Sequence, residues 1–339
     1  MVTKKKKENT DKALLEVRDL QTYFYTADGV VKAVDGVNLN VYPKKTLGIV
    51  GESGCGKSIT TKSILRLIDN PGRIINGTMN LYDNNHENPQ DILTLDIQTL
   101  KKVRGGKISM IFQEPMTSFS PIHTIGNQIT EAIRLHLNHT KQEAMELAED
   151  WLIRVGMSNP QQRLKQYAFE LSGGQRQRAM IAMALCTNPD ILIADEPTTA
   201  LDVTTQAQTL DLLNELQEKN GMSIIMITHD LGVIAELADD VNVMYLGKVV
   251  ESGSIRQVFK NPKHPYTQAL LSSIPSLATG HRERLPILPG TLPHPQARPN
   301  GCPFNPRCNE FIKGTCDATF PEQEKIEEGH LVNCHLYNK

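Results

Sequence analysis

The octapeptide GESGCGKS, residues 51–58, follows the apolar run TLGIV and matches the spacing G-x-x-x-x-G-K-[ST]. Each residue type there has a chemical reason. Glycines let the backbone curl until successive N–H groups converge on one phosphate. Lys57 supplies charge to the β- and γ-phosphates, and the Ser58 hydroxyl suits a magnesium ion. The stretch Gly51, Glu52, Ser53, Gly54, Cys55, Gly56, Lys57, Ser58 and Ile59 therefore reads as a nucleotide cradle. The alternative, a chance glycine-rich turn, is disfavoured by the strand before it and the helical pattern after it. Cys55 is most simply a small filler whose backbone N–H does the binding.

Two more apolar runs end in polar residues suited to the same chemistry. ILIADEP (191–197) places Asp195 at a strand tip, where it can hold hydrated Mg²⁺, and Glu196 next to it as the base for an attacking water. SIIMITHD (223–230) delivers His229 to the same sheet edge as a γ-phosphate contact. Gln113 follows ISMIF and is a third strand-end candidate, for the metal or for the water. Taken singly, an acidic pair or a lone histidine after a strand is more often structural.

ELSGGQRQRAM (170–180) is a second phosphate-binding device, with two glycines leading into a helix whose positive end suits an anion. It has no lysine and no magnesium ligand of its own, which raises the question of why one domain carries two such devices.

The elements that must position these groups follow from the hydrophobic pattern. LLEVRDLQTYFY and VVKAVDGVNLNV alternate and predict antiparallel strands turning at Asp28-Gly29. TLGIV, ISMIF, ILIAD and SIIMIT are continuous apolar runs, the pattern of parallel strands buried on both faces. Ala207, Leu210, Leu213 and Leu216 predict one buried helical face. Residues from about 115 to 180 read as a helical insertion, with Pro115 and Pro121 in a loop at its start. VNVMYLGKVVESG predicts a hairpin turning at Gly247, and no internal repeat is visible. The chain thus reads as α/β in three parts: a disordered basic tail at 1–12, a nucleotide-binding domain at 13–255, and a separate C-terminal module at 256–339. The run Lys4–Lys7 reads as part of the solvated tail, the alternative being weak contact with anionic lipid. A net charge of −2 gives no global attraction to nucleic acid. No apolar run is long enough to span a bilayer, and no apolar stretch follows the basic start, so the expected compartment is the cytosol.

The ordered set of Gly51–Ser58, Gln113, LSGGQ at 171–175, ILIADEP, ALD at 200–202 and His229 resembles ABC-type ATPases over about residues 14 to 255. The resemblance implies a mixed sheet core, an antiparallel β subdomain and a helical subdomain, with ATP and Mg²⁺ as ligands. It also implies that two ATPase domains pair head to tail, each signature loop meeting the ATP held by the other. Ser172, Gly173, Gly174 and Gln175 then act across that interface, and Asp202 contacts the opposite subunit. One such set per chain implies a second chain, with a related one favoured over an identical one. An aromatic near the first strand is expected to stack on adenine; Tyr23, Phe24 and Tyr25 are available, and the spacing from Leu20 favours Phe24. Cys186 reads as a buried helical residue.

NPKHPYTQALLSSIP (261–275), LPGTLP (288–293) and GCPFNPRC (301–308) resemble the oligopeptide/dipeptide-permease subfamily, extending the likeness over almost the whole chain. YAFELSGGQ, where relatives commonly have Tyr-Pro-His-Glu before the signature, and Ser120, where asparagine is usual, depart from it. Cys302, Cys308, Cys316 and Cys334 follow a C-x5-C-x7-C-x17-C pattern. Disulfides are disfavoured in the cytosol. Structural zinc remains open although its usual short knuckles are absent. Four thiolates on looser loops also suit a [4Fe–4S] cluster, which the subfamily resemblance implies for some members. His335 is an alternative ligand beside Cys334.

The function so implied is the ATP-hydrolysing subunit of a membrane importer, on the cytoplasmic face of the membrane and held there by two transmembrane permease subunits. A solute-binding protein outside the membrane would be an indirect partner. Oligopeptides or dipeptides are the expected cargo; oligosaccharides and metal complexes are carried by similar importers. A soluble, non-transport ABC ATPase is the reading from another class, and the C-terminal motifs oppose it.

Overall fold

The computed structural model describes residues 12–83, 88–114, 118–199, 201–273 and 290–338. The Lys4–Lys7 run, Pro115, Ala200 and part of the C-terminal motifs lie outside them.

The N-terminal strands β1 (Leu15–Thr26) and β2 (Gly29–Val41) are antiparallel, as their alternation predicts. Thr26 pairs with Gly29, so the turn residues are Ala27 and Asp28, one place earlier than expected. Alternation in β1 breaks at Arg18-Asp19, where the register shifts and Asp19 adopts a φ of 46°. That bulge resets the phase, so Leu20 and Thr22 point inward along with Leu15 and Val17. With β4 (Gly72–Leu81) and β5 (Gln90–Asp91) these strands form a sheet of order β2-β1-β4-β5.

The second sheet is built on the continuous apolar runs. Its strands β3 (Thr46–Val50), β6 (Ile108–Ile111), β7 (Ile191–Asp195) and β8 (Ser223–Ile227) are buried at every position. They run parallel to one another, with β9 (Asp240–Tyr245) parallel on the other side of β3. Alternate residues serve opposite cores. Ile191 and Ile193 face the antiparallel sheet with Leu15, Val37 and Met79. Leu192 and Ala194 face the helices with Trp151, Ile181 and Leu213. This two-sided burial is why the runs are continuously apolar but for a few buried polar residues at Thr46, Ser109, Asp195 and Ser223.

Helix α1 (Lys57–Ile64) follows β3, and α2 (Ile97–Val103) precedes β6. The helical insertion comprises α3 (Ile125–His136), α4 (Lys141–Arg154), α5 (Pro160–Leu164) and α6 (Gly173–Leu185), which returns the chain to β7. Then come α7 (Val203–Asn220) and α8 (Leu231–Leu237). Leu210, Leu213 and Leu216 of α7 are buried together with Thr209 and Leu212. Ala207 is exposed, because the first turns of α7 project beyond the core.

The hairpin of β9 and β10 (Lys248–Ser254) turns at Gly247 as predicted. Beyond it, α9 (Ile255–Lys260), α10 (Pro265–Ser272), β11 (Gln323–Glu327) and β12 (His330–Asn333) make the C-terminal part. That part is not set apart from the nucleotide-binding fold. Strand β12 pairs with β10, giving one sheet of order β11-β12-β10-β9-β3-β8-β7-β6. Tyr266 and Phe304 belong to the same core as Tyr245 and Val250. The fully buried Glu251 of β10 receives the N–H groups of Lys263 and His264 and the Nε2 of His330. A buried carboxylate is tolerated there because three donors meet it.

Candidate nucleotide site

The loop between β3 and α1 needs glycine in two places. Gly51 has a φ of 151° and Gly56 one of 104°; a Cβ would strike the carbonyl oxygen of Met244 at the first and of Ala33 at the second. The chain can curl tightly there only without side chains. Cys55 is buried and borders Gly51, and burial pushes its thiol up. Lys57 is buried, and its Nζ donates to the carbonyls of Gly51 (2.8 Å) and Glu52 (3.1 Å).

Ser58, in the first turn of α1, donates its hydroxyl to Oδ1 of Asp195 at 2.9 Å. Burial pushes the Asp195 carboxyl up, the Ser58 bond opposes this, and neighbouring Glu196 adds to it. A hydroxyl, a carboxylate and a nearby amide are hard oxygen donors of the kind Mg²⁺ takes, and a buried carboxylate gains by such a cation. These residues therefore fit the ion expected of them.

Glu196 is held in a left-handed conformation, φ 47°, by its N–H bond to the Ile227 carbonyl of β8. Its carboxylate is the meeting point of the predicted catalytic groups. Gln113 Nε2 donates to Oε2 at 3.1 Å, and His229 Nδ1 lies 3.5 Å from Oε1. Thr199 Oγ1 also donates to Oε2, at 2.8 Å. Thr199 escaped the sequence reading; its only signal was a hydroxyl three residues beyond the acid.

A cavity of about 260 Å³ is lined by Ser53, Gly54, Gly56–Ile59, Gln113 and Glu196, whereas Asp195, Thr199 and His229 are not among its lining residues. Its other wall is Val31, Lys32 and Ala33 of β2, Leu246, Gly247, and Pro295 and Arg298 from the C-terminal part. The last two were also missed, for nothing in a proline-dense loop announces a nucleotide contact. Arg298 is fixed by a 2.9 Å bond to Asp35, which also accepts the Tyr23 hydroxyl at 2.6 Å.

Phe24 is not among the lining residues. It is half-buried and rests on Gly72, where a Cβ would come 2.6 Å from its ring. Tyr23 has Lys32 over its ring and Tyr25 has Arg73, and neither lines the cavity.

The second phosphate-binding device lies apart from this cavity. Ser172 caps α6, accepting the Gln175 N–H, while Gln175 Oε1 accepts the Ser172 N–H, a reciprocal capping box. Gly173 borders open space, and a Cβ on Gly174 would lie 3.1 Å from the Thr205 methyl. Thr205 in turn bonds Asp202, the cap of α7. Ser172, Gly173, Gly174, Gln175 and Asp202 thus form one patch, and none of them lines the cavity.

Cys302, Cys316 and Cys334 are buried and Cys308 is half-buried, all as free thiols. Burial pushes Cys302 up to about 12 and Cys334 up to about 11, and each of the other three cysteines adds to the rise at Cys302. Among the described residues, however, no group of three or more His, Cys, Asp or Glu is placed to hold a metal ion, so the expected metal ligation is not met by this arrangement. His335 Nε2 is engaged with the Thr319 carbonyl at 2.9 Å. Cys186 is buried at the end of α6, as read from the sequence, and burial pushes it up to about 12.

Comparison with known proteins accords with this geometry. The ABC transporter family model matches residues 34–199, and the model for the oligopeptide/dipeptide transporter C-terminal region matches 250–316. The oligopeptide transport ATP-binding protein AppD of Bacillus subtilis is 46% identical over 96% of this chain and 97% of its own. The dipeptide transport ATP-binding protein DppD of the same organism is 46% identical over 96% and 95%. Among solved structures, the dimeric bacterial ABC transporter cassette MJ0796 matches with a TM-score of 0.62 at 27% identity, over 71% of this chain and 99% of that one. The chain cbiO1 from Clostridium perfringens, part of the ABC transporter complex cbiONQ, gives 0.60 at 26%, over 74% and 91%. The chain belongs to the ABC transporter ATP-binding proteins of the oligopeptide/dipeptide group, and it is an ABC-type ATPase.

Proposed function

We propose that this ATPase is the energy-coupling subunit of an importer of oligopeptides or dipeptides, acting as one half of a head-to-tail pair of cassettes. The observation that carries the pairing is the separation within one chain of the phosphate loop from the patch of Ser172–Gln175 and Asp202. A partner's nucleotide is the natural occupant for that patch, because the capped helix end there suits an anion yet has neither a lysine nor a magnesium ligand of its own. Val203 beside it is an apolar side chain 84% exposed, as expected of a surface covered by a second cassette.

In this reading the loop N–H groups and Lys57 hold the β- and γ-phosphates, and Ser58, Asp195 and Gln113 hold Mg²⁺. The ion, when bound, offsets charge on the transferring phosphoryl group. Glu196 takes a proton from the attacking water as its oxygen bonds to the γ-phosphorus; the bond to the ADP oxygen breaks, releasing ADP and phosphate. Gln113, Thr199 and His229 fix the Glu196 carboxylate for that task. Phe24 or another aromatic of β1 would meet adenine.

The partners follow from the same reading: a second cassette, related in preference to identical, two transmembrane permease subunits, and indirectly an external solute-binding protein. No described helix is long and apolar enough to cross a membrane; in this reading such subunits hold the chain at the cytoplasmic face. The partition at 13–255 and 256–339 is kept as one of function, nucleotide chemistry in the first and the cysteine-bearing part in the second. The reading of Cys302, Cys308, Cys316 and Cys334 as holding a [4Fe–4S] cluster, with zinc as the alternative, rests on their spacing and the subfamily resemblance alone, since the described residues place no group of three or more such ligands to hold a metal ion.

Reconstitution with the permease subunits and second cassette in proteoliposomes tests the transport reading. ATP-dependent uptake of a labelled tripeptide is expected; uptake of an oligosaccharide or metal complex instead would overturn the cargo assignment.

A further inference from the structure

The phosphate loop carries an acidic residue, Glu52, beside the place where a polyphosphate binds. Left alone, a carboxylate there repels the ligand. Its charge is met from the C-terminal part. Arg307 NH1 bonds Glu52 Oε2 at 2.7 Å and NH2 bonds Oε1 at 3.1 Å, a two-pronged pair across 255 residues of sequence. The Arg307 side chain is 4% exposed and Glu52's 28%. Burial alone would lower the guanidinium's pKa; its bonds to Glu52 and Tyr245 outweigh that and raise it. The Glu52 N–H also leaves the loop, donating to the Tyr266 hydroxyl at 2.9 Å. Tyr266, Tyr245 and Phe304 pack edge-on or tilted, with centroids 4.7–5.3 Å apart, and fix the hydroxyl in place.

We propose that Arg307 and Tyr266 are positioning residues for ATP binding: Arg307 neutralises Glu52, and Tyr266 sets the curl of the loop through the Glu52 N–H. The inference rests on reading Gly51–Ser58 as the nucleotide cradle. It gives the C-terminal part a task in the nucleotide site besides its cysteines. The two residues touch the loop and not the cavity, so they act through Glu52. Tyr266 lies in the HPY stretch, where His264 caps α10 by accepting the Tyr266 N–H at 3.0 Å, so the motif aims the tyrosine at the loop.

The test uses the full chain and a fluorescent mant-ATP titration with Mg²⁺, alongside ATPase kinetics. Arg307→Gln is expected to weaken binding about tenfold, the scale of a lost charge-assisted pair, raising KM more than it lowers kcat. The decisive measurement is the double variant. Glu52→Gln with Arg307→Gln should bind about as well as Glu52→Gln alone, because no unpaired carboxylate remains. Damage to the fold would not be rescued in this way. Tyr266→Phe keeps the ring packing and should cost about threefold in affinity through the orphaned N–H. Wild-type affinity in Arg307→Gln, or losses that simply add in the double variant, would overturn the proposal. Lys57→Ala separates this from the cradle itself: if it binds mant-ATP normally the cradle reading fails, and if it does not, a null result at Arg307 counts against the clamp alone.

Discussion

Ser58 and Asp195 are joined by a 2.9 Å hydrogen bond although 137 residues separate them, tying the first turn of α1 to the tip of β7. The bond brings a hydroxyl from one motif and a carboxylate from another to one point. Asp195→Asn should keep nucleotide binding without Mg²⁺ but lose Mg²⁺-dependent turnover by about 100-fold or more, since the charge that balances the ion is gone. Turnover that still rises with Mg²⁺ as in the wild type would place the ion elsewhere.

Lys57 is expected to be indispensable for binding. Lys57→Ala should show no saturable nucleotide affinity by titration, with circular dichroism unchanged.

Glu196→Gln should bind ATP and turn over at least about 100-fold more slowly, the scale of losing a general base. Thr199→Val, which removes one hydrogen bond to that carboxylate, should cost about tenfold or less in kcat. Near-normal turnover in Glu196→Gln would move the base, with His229 next in line.

Gly173 distinguishes a paired from a solitary mechanism. A side chain there meets nothing within 4 Å in the single chain, so Gly173→Val should fold and bind mant-ATP normally. It should nevertheless abolish ATPase activity and ATP-dependent pairing on a sizing column when mixed with the second cassette. Full activity would mean that the patch faces no nucleotide.

Acid should loosen the chain through His264. Burial pulls this imidazole down to about 3 from its usual 6.5, so the folded state holds it neutral. Below pH 6.5 the unfolded chain takes up a proton that the folded chain refuses, and stability falls. The contribution is complete above 6.5 and declines by up to about 1.4 kcal/mol per pH unit as the pH drops towards 3. His136 is displaced in the same direction by burial. Urea midpoints measured between pH 7 and 5 should show the slope, and His264→Asn should flatten it.

The parallel core was legible because two-sided burial leaves an unmistakable mark: TLGIV, ISMIF, ILIAD and SIIMIT are almost wholly apolar and show no polar/apolar alternation. The strand-end groups Gln113, Asp195, Glu196 and His229 were legible for the same reason, since each stands at or just beyond the C-terminal end of such a run. What failed depended on contacts distant in sequence. The bulge at Asp19 and the exposure of Ala207 are set by what packs nearby, not by local periodicity. Arg298 and Pro295 reach the cavity from a loop without regular pattern. Glu251 looked like an ordinary surface acid at a hairpin end, yet it binds the C-terminal part to the sheet.

That attachment bears on how the chain can be cut. Strand β10 would be the rim of the sheet if the polypeptide stopped at Ser254, with one row of N–H and C=O groups unsatisfied and Glu251 stripped of its three donors. An open rim of this kind templates association with other chains. The hairpin of β11 and β12 moves the rim outward to β11, a five-residue strand whose sequence QEKIE is mostly charged and poorly suited to stacking. A shortened cassette ending near residue 255 would thus trade a capped sheet for a sticky one, and its insolubility would say nothing about the chemistry of the nucleotide site.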